Sequence, residues 1–379
     1  MTSKQSIQFL ATVASGIESL VKKEVSQRGY DVQVDNGKVF FKGNLSTIPE
    51  MNLWLRFADR LKIVMGEFTT SSFEELFEAC YALEWEKWLP VDANFPVSGK
   101  SIQSKLYSVP DCQAIVKKAI VKRLQDVYHR RGFLPESGAL YPIEVAIRKD
   151  KVQLTIDTSG SSLFKRGYRI AKGDAPLKEN MAAALVGFTN WHKDKPFADP
   201  FCGSGTIPIE AALMGLNIAP GLNRSFNSQD WLFLPKDLWD KEIEDAENSI
   251  DYDSELLIEA SDIDHRMIEV AKANAEEAGV ADHIHFKQCQ IKDFTSKEKN
   301  GILVTNPPYG GRLLDEEKVH LIYQDMGQAL KPLDTWSKYI LTSDLSFETY
   351  YGQKATKRRK LYNGAIRTDL FQYWAKRKN

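Results

Sequence analysis

The chain has 379 residues, 43% hydrophobic and 27% charged, with a formal net charge of −1; that is the balance of a globular protein rather than a disordered one, at a length suited to two or three domains. No stretch approaches the roughly 18 uninterrupted apolar residues of a membrane span, and the apolar run between Ser6 and Val25 holds Glu18 and has Lys22 and Lys23 behind it, unlike a signal peptide. The four cysteines, Cys80, Cys112, Cys202 and Cys289, form no CxxC and no Cys/His cluster, which excludes a disulfide scaffold and predicts no metal site, no membrane partner and a reducing, cytoplasmic setting.

Ile7 to Val13 alternates as a strand does, and Gly16 to Gly29 carries Ile17, Leu20, Val21 and Val25 at helical spacing. After the turn at Asn36-Gly37 comes a strand at Lys38 to Lys42, then a helix over Asn44 to Asp59 and an apolar, β-prone run from Leu61 to Phe68. Strand, helix, strand, strand, helix, strand predicts a split βαβ unit over residues 1–70. A second unit is expected over 71–158: helix Phe73 to Leu83, the Trp85/Trp88 pair, strand Val97 to Ser104, a long helix Asp111 to Arg131, and strands Ile143 to Arg148 and Val152 to Ile156. Ile115, Ala119, Val121, Leu124 and Val127 line one side of the long helix, and Lys117, Lys118, Lys122, Arg123, Arg130 and Arg131 the other. Residues 159–176 form a Gly- and Ser-containing linker. From Leu177 onward, helices alternate with short apolar strands, the pattern of an α/β sheet domain over 177–379. Its strands are expected at Phe197 to Asp199, Leu256 to Ser261, His283 to Phe286, Gly301 to Thr305, Tyr339 to Thr342 and Leu370 to Trp374.

The net charge conceals strong local imbalance. Lys100 to Lys172 holds 15 Lys/Arg against 6 Asp/Glu, and Gly352 to Asn379 holds 9 against 1. Acidic segments at Glu67 to Asp92 and Asp230 to Asp262 offset them. A single charge run reads as a solvated face, but two basic blocks interleaved with aromatics point to phosphate binding. Within the second block, Lys354 to Lys360, with Lys357, Arg358 and Arg359, is dense enough to clamp a nucleic-acid backbone without reading its sequence.

Two loops carry the chemistry. Asp199-Pro-Phe-Cys-Gly-Ser-Gly-Thr206 joins a strand to a helix, and its paired glycines let backbone approach a ligand at the helix N-terminus. A second strand ends at Asp262, where doubly wound folds hold ribose hydroxyls, and Asp293 follows a third, placed to accept from an adenine amino group. A plain NAD site does not fit, because Pro208 stands at the third glycine position. In Thr305-Asn-Pro-Pro-Tyr-Gly310, two prolines stiffen the backbone, Asn306 offers an amide oxygen, and Tyr309 offers a flat ring. Acceptors beside an aromatic plate suit a planar substrate with an exocyclic amine, whose developing charge they would stabilise during attack. Cys202 is read as packing rather than as a nucleophile. His283 and His285 lack a third metal ligand, and Trp85 and Trp88 are expected in packing.

The Asp199–Thr206 and Asn306–Tyr309 stretches resemble motifs I and IV of class I S-adenosylmethionine-dependent amino-methyltransferases. Leu163-Phe-Lys-Arg-Gly-Tyr-Arg169, Ala175-Pro-Leu-Lys-Glu-Asn180 and Lys360-Leu-Tyr-Asn-Gly-Ala-Ile-Arg367 resemble the THUMP-containing branch, typified by rRNA guanine-N2 methyltransferases. The resemblance is strong from Leu163 to Trp374 and rests on element order before that. It implies a Rossmann-like seven-stranded α/β methyltransferase domain preceded by an α+β ferredoxin-like unit and a THUMP RNA-binding domain. It implies S-adenosylmethionine as cofactor, with Asp199, Cys202, Gly203, Gly205 and Thr206 around the methionine moiety, Asp262 at the ribose and Asp293 at the adenine. Asn306 and the Pro307 carbonyl would grip the target amine while Tyr309 stacks on the base. Some family members are fused to a second methyltransferase half, which a chain of this length does not hold, so one modification is expected. The implied partner is RNA, with Lys117, Lys118, Lys122, Arg123, Lys165, Arg166, Arg169, Lys357, Arg358 and Arg359 as candidate contacts. Large-subunit rRNA guanine N2 is the leading target. A tRNA, an adenine-N6 or protein glutamine-N5 target, and a non-catalytic RNA-binding assembly factor remain as alternatives.

Overall fold

The strands expected in residues 1–70 and 71–158 join into a single sheet. The computed structural model describes residues 6–170, 177–309, 315–364 and 366–375. The chain divides into two units, one of Met1–Val13, Lys22–Leu163 and Ser225–Glu244, the other of Ala14–Val21, Phe164–Arg224 and Asp245–Asn379.

The first sheet is built in chain order from β1 (Ile7–Thr12), β2 (Val32–Asp35), β3 (Lys38–Gly43), β4 (Arg60–Thr69), β5 (Val97–Ile102), β6 (Ile143–Arg148) and β7 (Lys151–Asp157). Between them run α1 (Glu18–Gln27), α2 (Thr47–Trp54), α3 (Phe73–Tyr81) and α4 (Val109–Val127). The strand order is β2-β3-β1-β4-β7-β6-β5, antiparallel except for the parallel β5–β6 pair. One cross-strand row reads Val32, Phe41, Phe9, Ile63, Ile156, Ile143, Val97. Its five central side chains are buried, so register is held by apolar contacts that a one-residue slip would turn to water. Residues 225–244 also belong to this unit. Trp231 stacks on Tyr141 at 4.8 Å and donates its indole N–H to the Leu140 carbonyl, and Phe233 meets Trp88 edge-on at 5.3 Å. The Trp85/Trp88 pair is therefore packing: Trp85 is fully buried and bonds the Cys80 carbonyl.

The second unit runs α5 (Glu179–Gly187), β8 (Phe197–Asp199), α6 (Thr206–Gly215), the last residues of α7 (Lys236–Asn248), β9 (Ile258–Asp262), α8 (His265–Glu277), β10 (Ile284–Gln288), β11 (Ile302–Thr305), α9 (Glu316–Leu330), β12 (Ser337–Thr342), α10 (Phe347–Tyr351), β13 (Lys357–Asn363) and β14 (Ile366–Tyr373). The strand order β10-β9-β8-β11-β12-β14-β13 makes a seven-stranded mixed sheet, parallel through β12, with β14 antiparallel between β12 and β13. This is the Rossmann-like methyltransferase fold that the sequence implied. The order reverses at β8, so the carboxyl ends of β9, β8 and β11 face the switch-point crevice where doubly wound sheets bind ligands. One strand escaped the sequence reading: Lys357 to Asn363, inside the basic block, is the edge strand β13. A run of four successive cations shows no alternation to reveal it, and lysines at an edge discourage pairing with other chains. Among the described residues, no helix is long and apolar enough to cross a membrane.

Candidate active site

Asp199, Asp262 and Thr305 end three adjacent strands, and Asn306 follows the third. Gly203 and Gly205 both adopt left-handed backbone, at φ 51° and 83°. A Cβ on Gly205 would lie 3.0 Å from the Ala271 methyl of α8, whereas one on Gly203 would meet nothing within 4 Å. The first glycine lets α8 close on the loop, and the second leaves open space beside it. Asn274, buried on α8, pins the turn by donating to the Ser204 carbonyl at 3.0 Å and accepting from the Ile170 N–H at 3.1 Å. Asp262 accepts from the Gly203 N–H at 3.0 Å and the Asp264 N–H at 2.9 Å. Burial nonetheless pushes its carboxyl above the ordinary range.

Asp199 is fully buried, which lifts its carboxyl to about 7 against the opposing hydrogen bonds from the Thr305 hydroxyl and the Phe201 N–H. Those donors, at 2.6 and 3.1 Å, both go to Oδ1, and Oδ2 has no partner among the described residues. Cys202 is buried and its thiol is driven well above its usual range, first by desolvation and then by Asp199 and Asp262, which fits packing better than a thiolate nucleophile. Thr206 accepts from Arg169 at 3.1 Å. Asp293 is exposed, one strand further along the sheet edge.

In the acceptor loop, Oδ1 of Asn306 is buried without a hydrogen-bond partner among the described residues. Pro307 is buried and Tyr309 half-buried. Tyr323 of α9 donates to the Pro308 carbonyl at 3.3 Å and bonds Thr342 of β12 at 3.0 Å, tying the loop to the next strand. Thr305, Tyr323 and Asn274 were not found from the sequence; only a polar amide in the middle of an amphipathic helix hinted at Asn274. Arg312, just past the acceptor loop, lies outside the described residues.

Several expected RNA contacts require correction. Arg166 is buried, with Nε 3.4 Å from Glu210, which also accepts from Tyr168 at 3.1 Å. Gly167 between them is at φ 103°, and a Cβ there would fall 2.1 Å from the Asn223 carbonyl oxygen. Arg169 pairs with Glu179 at 3.1 Å and donates to the Leu177 carbonyl. These two arginines therefore brace α5 and α6 through their ion pairs with Glu179 and Glu210. Lys165 remains exposed. A buried cation that loses its partner, or the reverse, is costly, so Arg166→Met is expected to lower the unfolding free energy by about 3 kcal/mol in urea titrations. On α4, Lys117 bonds Glu136 at 2.8 Å and lies over Phe95, Lys122 bonds Asp126 at 2.7 Å, and Arg123 pairs with Glu86. Among the described residues, Lys118, Arg130 and Arg131 have no carboxylate partner, and the Lys118 ammonium lies 6.0 Å from the Phe77 ring centre. Ion pairs thus engage three of the six cations expected on that face. On β13, Lys357 is exposed, Arg358 pairs with Glu348, and Arg359 lies over Phe188 and donates to the Gly16 carbonyl.

The site fits S-adenosylmethionine on its own geometry. A buried carboxylate oxygen without a donor suits an ammonium group, and the open space at Gly203 admits backbone-close binding. Family models for an RMKL-like methyltransferase domain, an RlmL ferredoxin-like domain and a THUMP domain match residues 166–372, 8–62 and 70–157. A Bacillus subtilis (strain 168) protein, YpsC, provisionally named an RNA methyltransferase, is 54% identical over 369 residues, 97% of this chain and 96% of its own. Ribosomal RNA large subunit methyltransferase K/L of Shewanella baltica (strain OS185) is 33% identical over 95% of this chain, which spans about half (52%) of that enzyme's length. The crystal structure of SMU.472, provisionally described as a methyltransferase and complexed with SAH, superposes at TM-score 0.95 with 50% identity, covering 99% of this chain and 100% of that one. With its cofactor thus S-adenosylmethionine, the chain belongs to the RMKL-like family of RNA methyltransferases that carry a ferredoxin-like and a THUMP domain.

Proposed function

We propose that the chain methylates an exocyclic base amine of RNA, guanine N2 of 23S rRNA, in the cytoplasm. Residues 1–70 and 71–158 would hold RNA, 159–176 link, and 177–379 catalyse. The observation that carries the reading is the buried, partnerless Oδ1 of Asn306, one strand from the partnerless Oδ2 of Asp199. A buried acceptor without a donor is expensive unless a ligand supplies one. An aromatic amine holds two N–H donors and a lone pair delocalised into its ring. Accepting those donors at Asn306 Oδ1 and the Pro307 carbonyl favours a pyramidal nitrogen and stabilises the positive charge that grows on it. Tyr309 would stack on the base and hold the nitrogen in line. When bound, S-adenosylmethionine supplies a methyl group made electrophilic by its sulfonium. Asp199 Oδ2, the Cys202–Thr206 loop, Asp262 and Asp293 would fix that cofactor's orientation, so positioning and electrostatics provide the catalysis.

Nucleoside mass spectrometry of 23S rRNA and tRNA from cells with and without the protein tests this directly. The expected result is loss of one N2-methylguanosine from 23S rRNA. Loss confined to tRNA, or of N6-methyladenosine instead, moves the target to that alternative, and no change in either RNA refutes the activity.

A further inference from the structure

Asn306-Pro307-Pro308-Tyr309 has few torsions free to turn. The pyrrolidine rings lock φ at 307 and 308, and a following proline confines ψ of both Asn306 and Pro307 to extended values. The first soft torsion in the loop is therefore ψ of Pro308. It points the Pro308 carbonyl and, through the planar peptide, places the Cα of Tyr309. That carbonyl accepts a hydrogen bond from the Tyr323 hydroxyl at 3.3 Å. Tyr323 is fully buried on α9, and its ring meets Phe347 edge-on at 4.8 Å. Its hydroxyl lies 3.0 Å from that of Thr342, which accepts from the Asp344 N–H at 3.1 Å. With the Tyr323 proton directed at Pro308, the Thr342 hydroxyl is left to donate to Tyr323, so every oxygen in the series is partnered. Burial pushes the Tyr323 phenol up to about 12, and the hydroxyl keeps the proton it donates. Pro308 is only half-buried, at a depth where ordered water can satisfy a carbonyl. A buried hydroxyl does so instead, which fixes direction as well as partner.

We infer that Tyr323 is a positioning residue for methyl transfer: by fixing the Pro308 carbonyl it aims the Tyr309 ring at the base whose amine Asn306 grips. The inference rests on the reading of this loop as the acceptor site of an RNA methyltransferase. Fully buried, Tyr323 acts through the loop and not on the substrate. Asn306 and the Pro307 carbonyl are held by the proline restrictions and stay in place without it. The effect of Tyr323 therefore falls on the stacked base and the alignment of its nitrogen with the methyl group, where small misplacements slow a reaction.

The test is a double-mutant cycle, read by single-turnover transfer of labelled methyl from S-adenosylmethionine to 23S rRNA and tRNA taken from cells lacking the protein. Tyr323→Phe keeps the ring against Phe347 and removes only the hydroxyl. It is expected to slow transfer roughly 3- to 10-fold, the loss of one neutral hydrogen bond, with cofactor affinity by isothermal titration within about twofold of wild type. Thr342→Val takes a bond from the same hydroxyl but leaves Pro308 its donor, and is expected to slow transfer less. Tyr309→Ala is expected to slow transfer roughly 5- to 100-fold. On that background Tyr323→Phe is expected to add less than about 1.5-fold, because no ring remains to be aimed, whereas on Tyr309→Phe it keeps its full effect. Tyr323→Phe at the wild-type rate, or with a loss as large without the Tyr309 ring as with it, overturns the assignment while leaving the acceptor reading intact. A wild type that binds S-adenosylhomocysteine but methylates neither RNA overturns that reading and the assignment with it.

Discussion

Asn306→Ala is expected to lower kcat by about 10³-fold, in the range seen when one preorganised group is removed from a site of developing charge, while S-adenosylmethionine affinity stays within about threefold. Asn306 follows β11, and its buried Oδ1 has no donor. Its backbone is held independently by Pro307 and by Tyr323 on the Pro308 carbonyl. Truncation should therefore leave the loop in place and remove one acceptor. Loss of an interaction made mainly in the transition state lowers kcat and kcat/KM together. Single-turnover kinetics on rRNA with isothermal titration of the cofactor separates the two effects. A variant that turns over at the wild-type rate removes the amine-gripping role.

Asp199→Asn is expected to weaken S-adenosylmethionine binding by about 10²-fold at pH 8, as loss of one partner of a buried charge pair does, and to stabilise the cofactor-free protein. The sign follows from proton linkage. Burial raises this carboxyl from its ordinary 3.8 to about 7 in the fold. Between those values the folded protein holds a proton that the unfolded chain has lost, so stability falls as pH rises through that window and stays low above it. The full penalty is as much as about 4 kcal/mol, and the neutral amide escapes it. A cationic ligand must also expel the proton, so cofactor affinity should fall as pH drops below about 7. Thermal unfolding of the cofactor-free pair at pH 5 and pH 8 measures the first effect. Equal wild-type and variant melting at pH 8 overturns the proposed burial cost, and cofactor affinity independent of pH from 5.5 to 8 overturns the proton release.

The two loops were legible because their signals are local. Glycines at left-handed positions, prolines that stiffen a backbone and acids at strand ends constrain the chain through their own covalent chemistry, and short apolar runs mark where the strands end. Asp199, Asp262 and Asn306 could therefore be named, and set at the ends of the first, second and fourth strands of their domain, before any tertiary contact was known. Cross-strand partners could not: the Thr305 hydroxyl reaches Asp199 across 106 residues, and nothing near either position announces the bond.

Charge was the least legible property. Arg166 and Arg169 stand in a linker-like stretch beside exposed Lys165, yet Glu210 and Glu179 draw them into the catalytic unit. Three of the four cations named on α4 meet Glu136, Asp126 and Glu86, whereas Arg148 and Lys149 have no carboxylate partner among the described residues. Sequence by itself determined the methyltransferase fold and the residues of its two loops, since backbone constraints and hydrophobic periodicity act over a few residues. Tertiary structure decided which cations remain free for phosphate and why Asp199 holds its proton near neutrality. Ion pairing and desolvation depend on groups brought together from distant parts of the chain, and a count of charges along it carries neither.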